Sequence, residues 1–175
     1  MSQMNEKKHI YLIGFMGTGK TTVSDILHKK LGWPEIDADA LIVKEQKMPI
    51  AGIFEQYGEP YFRELESEMM RKIAKMDPAV VSCGGGAVLR SRNVETMAAS
   101  GTIVLLTATP ETVFTRVRHS KDRPILNGHM EVSYIAELME KRRAAYEAAA
   151  GLIVVTDDKY PRQVADEIIR RLNLQ

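Results

Sequence analysis

The sequence has little cysteine and no long apolar run, and both shortages bear on the cellular compartment in which the protein works. Cysteine occurs once in 175 residues, at Cys83, so no internal disulfide can form, which fits a reducing cytoplasm. No stretch approaches the roughly 20 apolar residues of a membrane span, and residues 1–9 contain no apolar signal core. We therefore expect a cytoplasmic protein without a membrane partner.

Excess charge of either sign is missing too. The chain has 24 Lys and Arg against 23 Asp and Glu, a net charge of +1. This balance gives no global field to attract nucleic acid, so any anion-binding site must be local. No repeat, linker or low-complexity segment divides the chain, and its length is enough to bury about 70% of the unfolded surface. We expect one domain over residues 1–175.

The sequence does contain a regular alternation of short apolar runs and longer amphipathic stretches. Such alternation is typical of β/α units built on a parallel sheet that is buried on both faces. Gly32 is a natural stop for a helix over residues 20–31, and Pro161 a natural start for the last helix. The five apolar runs are residues 9–14, 34–37, 79–82, 102–106 and 152–156.

A phosphate-binding motif follows the first apolar run and opens the first predicted helix. Residues 14–21, GFMGTGKT, match G-x-x-x-x-G-K-[ST], a loop whose backbone N–H groups converge on phosphate oxygens. Lys20 can reach the β- and γ-phosphates, and Thr21 offers a hydroxyl to Mg²⁺. Because the chain is short and lacks the N-K-x-D and D-x-x-G motifs of GTPases, it favours a kinase that acts on a small molecule.

Four charged residues form two candidate pairs for the acceptor. Asp37 and Asp39 follow the second run, at the sheet edge where open parallel sheets bind ligands. They are either helix N-caps or a pair in which one holds Mg²⁺ through water and the other accepts a hydrogen bond from the reacting hydroxyl. Arg63 and Glu66 are either a surface ion pair or a carboxylate clamp that Glu66 orients.

Two further segments each allow two interpretations. Residues 84–86 are three consecutive glycines in VVSCGGGAVL, either a slack turn or a place where another group approaches the backbone. Residues 116–130 are basic and poor in core-forming side chains, either a solvated surface loop or a mobile cover. The neighbouring Cys83 is expected to be a small buried residue rather than a reactive thiol.

Together these residues resemble one family, shikimate kinase, which transfers the γ-phosphoryl group of ATP to the 3-hydroxyl of shikimate on the way to chorismate and the aromatic amino acids. The likeness covers nearly the whole chain in the family's order. The matching segments are GFMGTGKTT, IDAD, IFEQYGEPYFRELE, SCGGGAV, RVRHSKDRPIL and YPRQVADEI. The resemblance implies a three-layer α/β P-loop kinase fold whose five-stranded parallel sheet has the order 2-3-1-4-5.

For the nucleotide, the resemblance implies ATP as co-substrate and Mg²⁺ as cofactor. Lys20 and Arg123 would contact the transferred phosphoryl group, and both are expected to be catalytic. Thr21 and Asp37 would hold the ion, Asp37 through its water shell. The residues expected to bind the nucleotide are Gly17, Thr18, Gly19, Lys20, Thr21, Thr22, Arg116, Arg123 and Pro161, with Arg116 and Pro161 beside the adenine.

For the acceptor, the resemblance implies that Asp39 binds the reacting hydroxyl and is the candidate base. Arg63 and Arg142 would clamp the shikimate carboxylate. The residues expected to bind shikimate are Asp39, Phe54, Phe62, Arg63, Gly84, Gly85, Gly86 and Arg142. The acceptor-binding segment would span about residues 34–63, and residues 116–130 would be a lid that closes over both substrates. A monomer is expected.

The chain departs from the family pattern at one point that matters for the site. The family commonly has R-x-P-x-Y where residues 142–146 read RRAAY, so Ala144 replaces the proline and the choice between Arg142 and Arg143 stays open. Ser82 stands where many phosphate-loop ATPases have an acidic metal ligand, which agrees with the family. The alternatives are a gluconate or nucleoside monophosphate kinase, and a nucleotide-binding regulatory module that has lost catalysis.

Overall fold

The computed structural model describes residues 8–119 and 131–175, and a parallel five-stranded sheet forms its centre. The strands are β1 (His9–Ile13), β2 (Glu35–Asp37), β3 (Val80–Ser82), β4 (Gly101–Thr107) and β5 (Leu152–Val155). They lie in the order β2-β3-β1-β4-β5, and every neighbouring pair is parallel. The predicted strand order is therefore confirmed.

Helices connect the strands and begin and end at the expected local signals. Gly32, with φ +66°, ends the first helix by donating its N–H to the His28 carbonyl at 2.9 Å, and Pro161 opens the last helix. Of the helices in the two described ranges, none is long and apolar enough to cross a membrane. The helices are α1 (Lys20–Leu31), α2 (Ala38–Gln46), α3 (Ile50–Tyr57), α4 (Glu59–Ala74), α5 (Ser91–Ser100), α6 (Pro110–Val117), α7 (Val132–Ala149) and α8 (Pro161–Arg171), with a 3₁₀ turn over Ala87–Leu89.

The two faces of the sheet carry separate apolar cores because successive side chains of a strand point in opposite directions. Ile10 and Leu12 pack with apolar residues of α1 and α8, whereas Tyr11 and Ile13 pack with the helices of the opposite layer. All five residues of β1 are buried, as expected for a central parallel strand. The architecture is thus helix, sheet, helix in three layers.

Burial on both faces holds for the inner strands but not for the edges of the sheet. β3 is buried throughout, whereas Glu35 and Asp37 of β2 and Ile153 and Val155 of β5 are exposed. β2 and β5 each have a neighbour on one side only. The prediction of strands covered on both faces is therefore wrong at the two edges, because fewer elements reach them.

The segment expected to be a loop over residues 116–130 begins inside a helix. Arg116 and Val117 are the last two residues of α6. Val117 is buried. A Cβ added to Gly17 would lie only 2.8 Å from Val117 Cγ1, so the end of α6 packs closely on the phosphate loop. This packing extends the helix past the boundary that composition suggested. Residues 120–130 lie outside the described part of the chain.

Candidate active site

The phosphate loop lies between β1 and α1, and its glycines are required by the backbone. Gly14, Gly17 and Gly19 have φ values of +146°, +77° and +98°, a region that residues with a side chain rarely adopt. A Cβ on Gly14 would also lie 2.5 Å from the Leu106 carbonyl oxygen. The loop can therefore bring its backbone close to an anion at the N-terminus of α1.

The side chains of Lys20 and Thr18 donate hydrogen bonds to carbonyl groups of this loop. The Lys20 Nζ donates to the carbonyls of Gly14 at 2.6 Å and Phe15 at 3.1 Å, so the ammonium group lies over the loop. The Thr18 hydroxyl is buried and donates to the Phe15 carbonyl at 2.8 Å. Thr18 thus stabilises the loop through its side chain, while Lys20 supplies a positive charge where phosphate oxygens would lie.

A cavity of about 430 Å³ opens beside the loop. Arg116 spans it, donating to the Gly17 carbonyl at 3.0 Å and to the Thr156 hydroxyl and carbonyl at 3.0 and 3.1 Å. All the described residues predicted to bind the nucleotide are among its walls, together with Thr156 and Lys159, which sequence reasoning missed. The lining residues are 16–23, Arg116, Thr156, Lys159, Pro161 and Val164.

Asp37 and Asp39 lie at the carboxyl end of β2 and play different structural parts. Asp37 is the N-cap of α2, and its Oδ1 accepts the Ala40 N–H at 3.0 Å. The Oδ1 of Asp39 is buried and has no hydrogen-bond partner among the residues that the structure describes. Burial and the nearby Asp37 raise the pKa of Asp39, while Arg63 and Lys20 oppose that rise. The N-cap interpretation is therefore correct for Asp37, and Asp39 presents an unpaired acceptor instead.

Arg63 on α4 is held between two carboxylates of unequal burial. Its Nη1 donates to Glu66 at 3.0 Å, and its Nε and Nη2 donate to Glu59 at 3.3 and 3.2 Å. The side chains of Arg63 and Glu66 are 14% and 2% exposed, whereas Glu59 is 61% exposed. The surface interpretation of the Arg63–Glu66 pair is therefore wrong, because the helix turns this face toward the sheet.

Phe62 and Phe54 are neighbouring aromatic rings, and the first of them lies next to the Arg63 guanidinium. Phe62 is 4% exposed and Phe54 half-buried, with ring centroids 5.0 Å apart. The Arg63 guanidinium carbon lies 5.4 Å from the centroid of the Phe62 ring, within reach of a cation–π interaction. Phe62 belongs to the core of this layer, and Phe54 packs against that core.

The glycine triplet (Gly84, Gly85, Gly86) follows β3 and receives three polar side chains. A Cβ on Gly84 would lie 2.7 Å from Asp39 Oδ1, and one on Gly86 would lie 2.6 Å from Arg63 Nη2. None of the three glycines has a positive φ. The slack-turn interpretation is therefore wrong: these residues are glycines because space is needed, and side chains of other elements fill it.

The middle glycine distinguishes the two candidate arginines on α7. A Cβ on Gly85 would lie 2.7 Å from Arg142 Nη1. Arg143 instead pairs with Glu140 and Glu147 on the exposed side of the helix, at 3.1 and 3.3 Å. Of the two arginines, Arg142 is thus the one whose guanidinium lies at the glycine triplet, with Asp39 and Arg63.

The residues present fit a magnesium ion held largely by water. Within residues 8–119 and 131–175, no group of three or more His, Cys, Asp or Glu side chains could form a metal cage. Mg²⁺ in phosphate-transfer sites takes one or two protein oxygens and keeps several waters. Thr21 at the start of α1 and Asp37 at the end of β2 are exposed oxygen donors on the same edge of the sheet.

Two remaining predictions concern a cysteine and an arginine. Cys83 is buried, its Sγ lies 4.0 Å from Met97 Sδ, and burial raises the pKa of its thiol, so it is a core residue as predicted. Arg123, the arginine predicted to reach the transferred phosphate, lies outside the described residues.

Comparison with known proteins extends the resemblance over nearly the whole chain. A model of the shikimate kinase family matches residues 16–173. Shikimate kinases of Persephonella marina and Thermodesulfovibrio yellowstonii are 41% and 39% identical, covering 94% and 93% of this chain and 99% and 94% of those proteins. A solved shikimate kinase from Acinetobacter baumannii, in complex with shikimate, has a TM-score of 0.87 at 30% identity and covers 95% of this chain and 93% of its own.

Proposed function

The chain belongs to the shikimate kinase family, and we propose that it transfers the γ-phosphoryl group of ATP to the 3-hydroxyl of shikimate. One observation carries the proposal for this chain's own residues: the glycine triplet brings Asp39, Arg63 and Arg142 together. Two guanidinium groups and one carboxylate suit an acceptor that is both an anion and an alcohol. Gluconate also has both groups, so the acceptor needs a direct test.

On the acceptor side, Arg63 and Arg142 would bind the shikimate carboxylate and Asp39 would accept a hydrogen bond from the 3-hydroxyl. Glu66 fixes Arg63, so its fork is oriented before the acceptor arrives. The partial burial of Arg63, 14% exposed, strengthens a charge-assisted hydrogen bond relative to one in water. Phe54 and Phe62 would contact the carbon ring.

On the nucleotide side, the backbone N–H groups of the phosphate loop and Lys20 would bind the β- and γ-phosphates of ATP. Arg116 and Pro161 would lie next to the adenine, in the cavity that they line. Thr21 and, through water, Asp37 would hold Mg²⁺. Held by these residues, Mg²⁺ would supply positive charge that offsets the negative charge developing on the phosphates.

Asp39 would orient the acceptor hydroxyl and take up its proton as the new bond forms. Phosphoryl transfer depends mainly on positioning and charge stabilisation, so a strong base is not required. The raised pKa of Asp39 makes it a better proton acceptor than an ordinary aspartate. Lys20, one of the groups that oppose this rise, would also stabilise the transferred group.

The acceptor is identified by measuring ADP release in a coupled assay with shikimate, gluconate and AMP as separate acceptors. We expect turnover above the background ATPase rate with shikimate alone. Turnover with another acceptor and none with shikimate would contradict the proposal, and no turnover with any of them would favour a regulatory module. Removal of Mg²⁺ from the assay with EDTA should abolish turnover.

We also propose that the enzyme acts as a monomer in the cytoplasm. The single cysteine is buried and unpaired, which suits a reducing compartment. Sedimentation velocity at assay concentrations would give the mass of one 19.7 kDa chain if the monomer is correct.

A further inference from the structure

One buried hydroxyl at the acceptor site has no part in the mechanism above. Tyr146 on α7 is 5% exposed, and its hydroxyl donates to the Gly85 carbonyl at 2.7 Å. The Arg142 guanidinium lies beside the same glycine as this hydroxyl and lowers its pKa, against the larger effect of burial. Burial raises the pKa of Tyr146, so the hydroxyl keeps its proton and remains a donor at neutral pH.

The spacing of these residues makes the contact part of a unit. Arg142 and Tyr146 are four residues apart on α7 and therefore lie on one face of the helix. A Cβ on Gly85 would meet Arg142 Nη1 at 2.7 Å and Tyr146 Oη at 3.5 Å. One hydroxyl thus joins α7 to the backbone of the glycine triplet, next to the Arg142 guanidinium.

We propose that Tyr146 is a positioning residue that holds the Arg142 guanidinium and the Gly85 backbone in the arrangement that receives the acceptor carboxylate. The inference rests on the proposed function, because Arg142 must meet that carboxylate. Phenylalanine at position 146 would keep the ring in the core but would leave Arg142 free to sample other rotamers. Acceptor binding would then have to order the guanidinium as well, which lowers affinity.

Tyr11 provides a matched control for a purely structural role. It is fully buried, and its hydroxyl lies 2.7 Å from Ser100 Oγ, so Tyr11→Phe removes a hydrogen bond of the same length. Its hydrogen-bond partner, unlike that of Tyr146, belongs to none of the groups assigned to substrate binding. Comparable losses of Tm are expected in Tyr11→Phe and Tyr146→Phe, so stability alone does not separate the two roles.

Steady-state kinetics separate them. We expect Tyr146→Phe to raise the KM for shikimate roughly tenfold, the cost of about one charge-assisted contact, with the KM for ATP and kcat within twofold of wild type. Tyr11→Phe should leave all three constants within twofold. An unchanged shikimate KM in Tyr146→Phe would overturn the inference. If that variant is too unstable to assay at the usual temperature, its shikimate affinity from binding calorimetry at low temperature is judged by the same criterion.

A second acceptor tests whether the effect acts through the carboxylate. Shikimate carboxamide lacks the negative charge, so the ratio of kcat/KM for shikimate to that for the carboxamide reports the carboxylate clamp. We expect this ratio to fall at least fivefold in Tyr146→Phe, and an unchanged ratio would overturn the positioning role. Wild-type enzyme that fails to phosphorylate shikimate would refute the proposed function itself, which keeps the two failures distinct.

Discussion

The molecule contains two glycine clusters, and they need glycine for different reasons. In the phosphate loop, Gly14, Gly17 and Gly19 have positive φ, so the backbone conformation itself excludes most side chains. In the glycine triplet, φ is ordinary, but a Cβ would collide with Asp39, Arg142 or Arg63. In the proposed function, the first cluster shapes the backbone that would bind the nucleotide, and the second makes room for the side chains that would bind the acceptor.

If the proposed function is correct, this difference explains how two substrates would bind at separate places along one small sheet. The nucleotide side relies on main-chain N–H groups that are in place once the loop folds, as in other phosphate loops. The acceptor side relies on side chains from α2, α4 and α7 that meet at β3, so it depends on packing between distant segments. Damage to one side should therefore leave the other largely intact, and the following predictions test that separation.

The largest effect is expected from Lys20→Ala. Removing a cation aimed at the transferred group should lower kcat roughly 100- to 1000-fold, as for other lost transition-state donors, with shikimate affinity little changed. Arg63→Ala is the matched variant: it should mainly raise the KM for shikimate. Stopped-flow or coupled steady-state kinetics measure both constants. Equal loss of shikimate affinity in the two variants would argue against the separation.

The next largest effect is expected from Gly85→Ala. The new methyl group would lie 2.7 Å from Arg142 Nη1 and displace that guanidinium. We expect the KM for shikimate to rise about tenfold, corresponding to one weakened charged contact, while ATP binding stays nearly intact. Gly151→Ala is the control, because a Cβ there meets only atoms at 3.5 Å or more. Normal shikimate binding by Gly85→Ala would mean that the space at the triplet does not serve the acceptor.

A smaller effect should distinguish the two carboxylates on Arg63. Glu66→Gln removes the buried partner and should raise the shikimate KM several-fold. Glu59→Gln removes an exposed carboxylate that occupies Nε and Nη2, so it should leave KM unchanged or lower it about twofold, since exposed pairs contribute little. Kinetics at fixed saturating ATP compare the two. An equal rise in the shikimate KM of both variants would show that the burial of each carboxylate does not determine its effect on shikimate binding.

The smallest effect concerns stability against pH. The pKa of Asp39 is raised in the folded state above its ordinary 3.8, so the folded protein holds this proton more tightly than the unfolded chain. Its contribution to stability is greatest below pH 3.8 and is lost as pH rises through the folded-state pKa. Asp39→Asn should therefore be more stable at neutral pH, by roughly 2–4 °C in Tm for each kcal/mol relieved. A lower Tm in the variant would contradict this.

The phosphate loop and the sheet order could be predicted because their signals are local or belong to a known family pattern. Gly14 to Thr21 form one contiguous motif, and Gly32 and Pro161 mark helix ends by their own backbone preferences. For Asp37, the sequence left two alternatives open: a helix N-cap, or a residue that holds Mg²⁺ through water. Its carboxylate caps α2 with one oxygen and remains exposed, so capping does not exclude the proposed ion-binding role.

Other parts of the site depend on contacts between distant segments and could not be predicted. Arg142 and Arg143 are adjacent in the sequence, and only the packing of α7 turns the first toward Gly85. The basic residues around Arg116 predict a loop there, yet Arg116 lies inside α6. Tyr146 reads as an ordinary core aromatic until its hydroxyl is found 2.7 Å from the Gly85 carbonyl.

The most direct test of the two-cluster account is isothermal titration of ADP and of shikimate into Gly17→Ala and Gly86→Ala. Alanine at position 17 would have to adopt φ +77° and would meet Val117, whereas alanine at position 86 would meet the Arg63 guanidinium. We predict a crossed result: Gly17→Ala loses ADP affinity and retains shikimate affinity, and Gly86→Ala does the reverse. Loss of the same ligand by both variants, or normal shikimate binding by Gly86→Ala, would contradict the account.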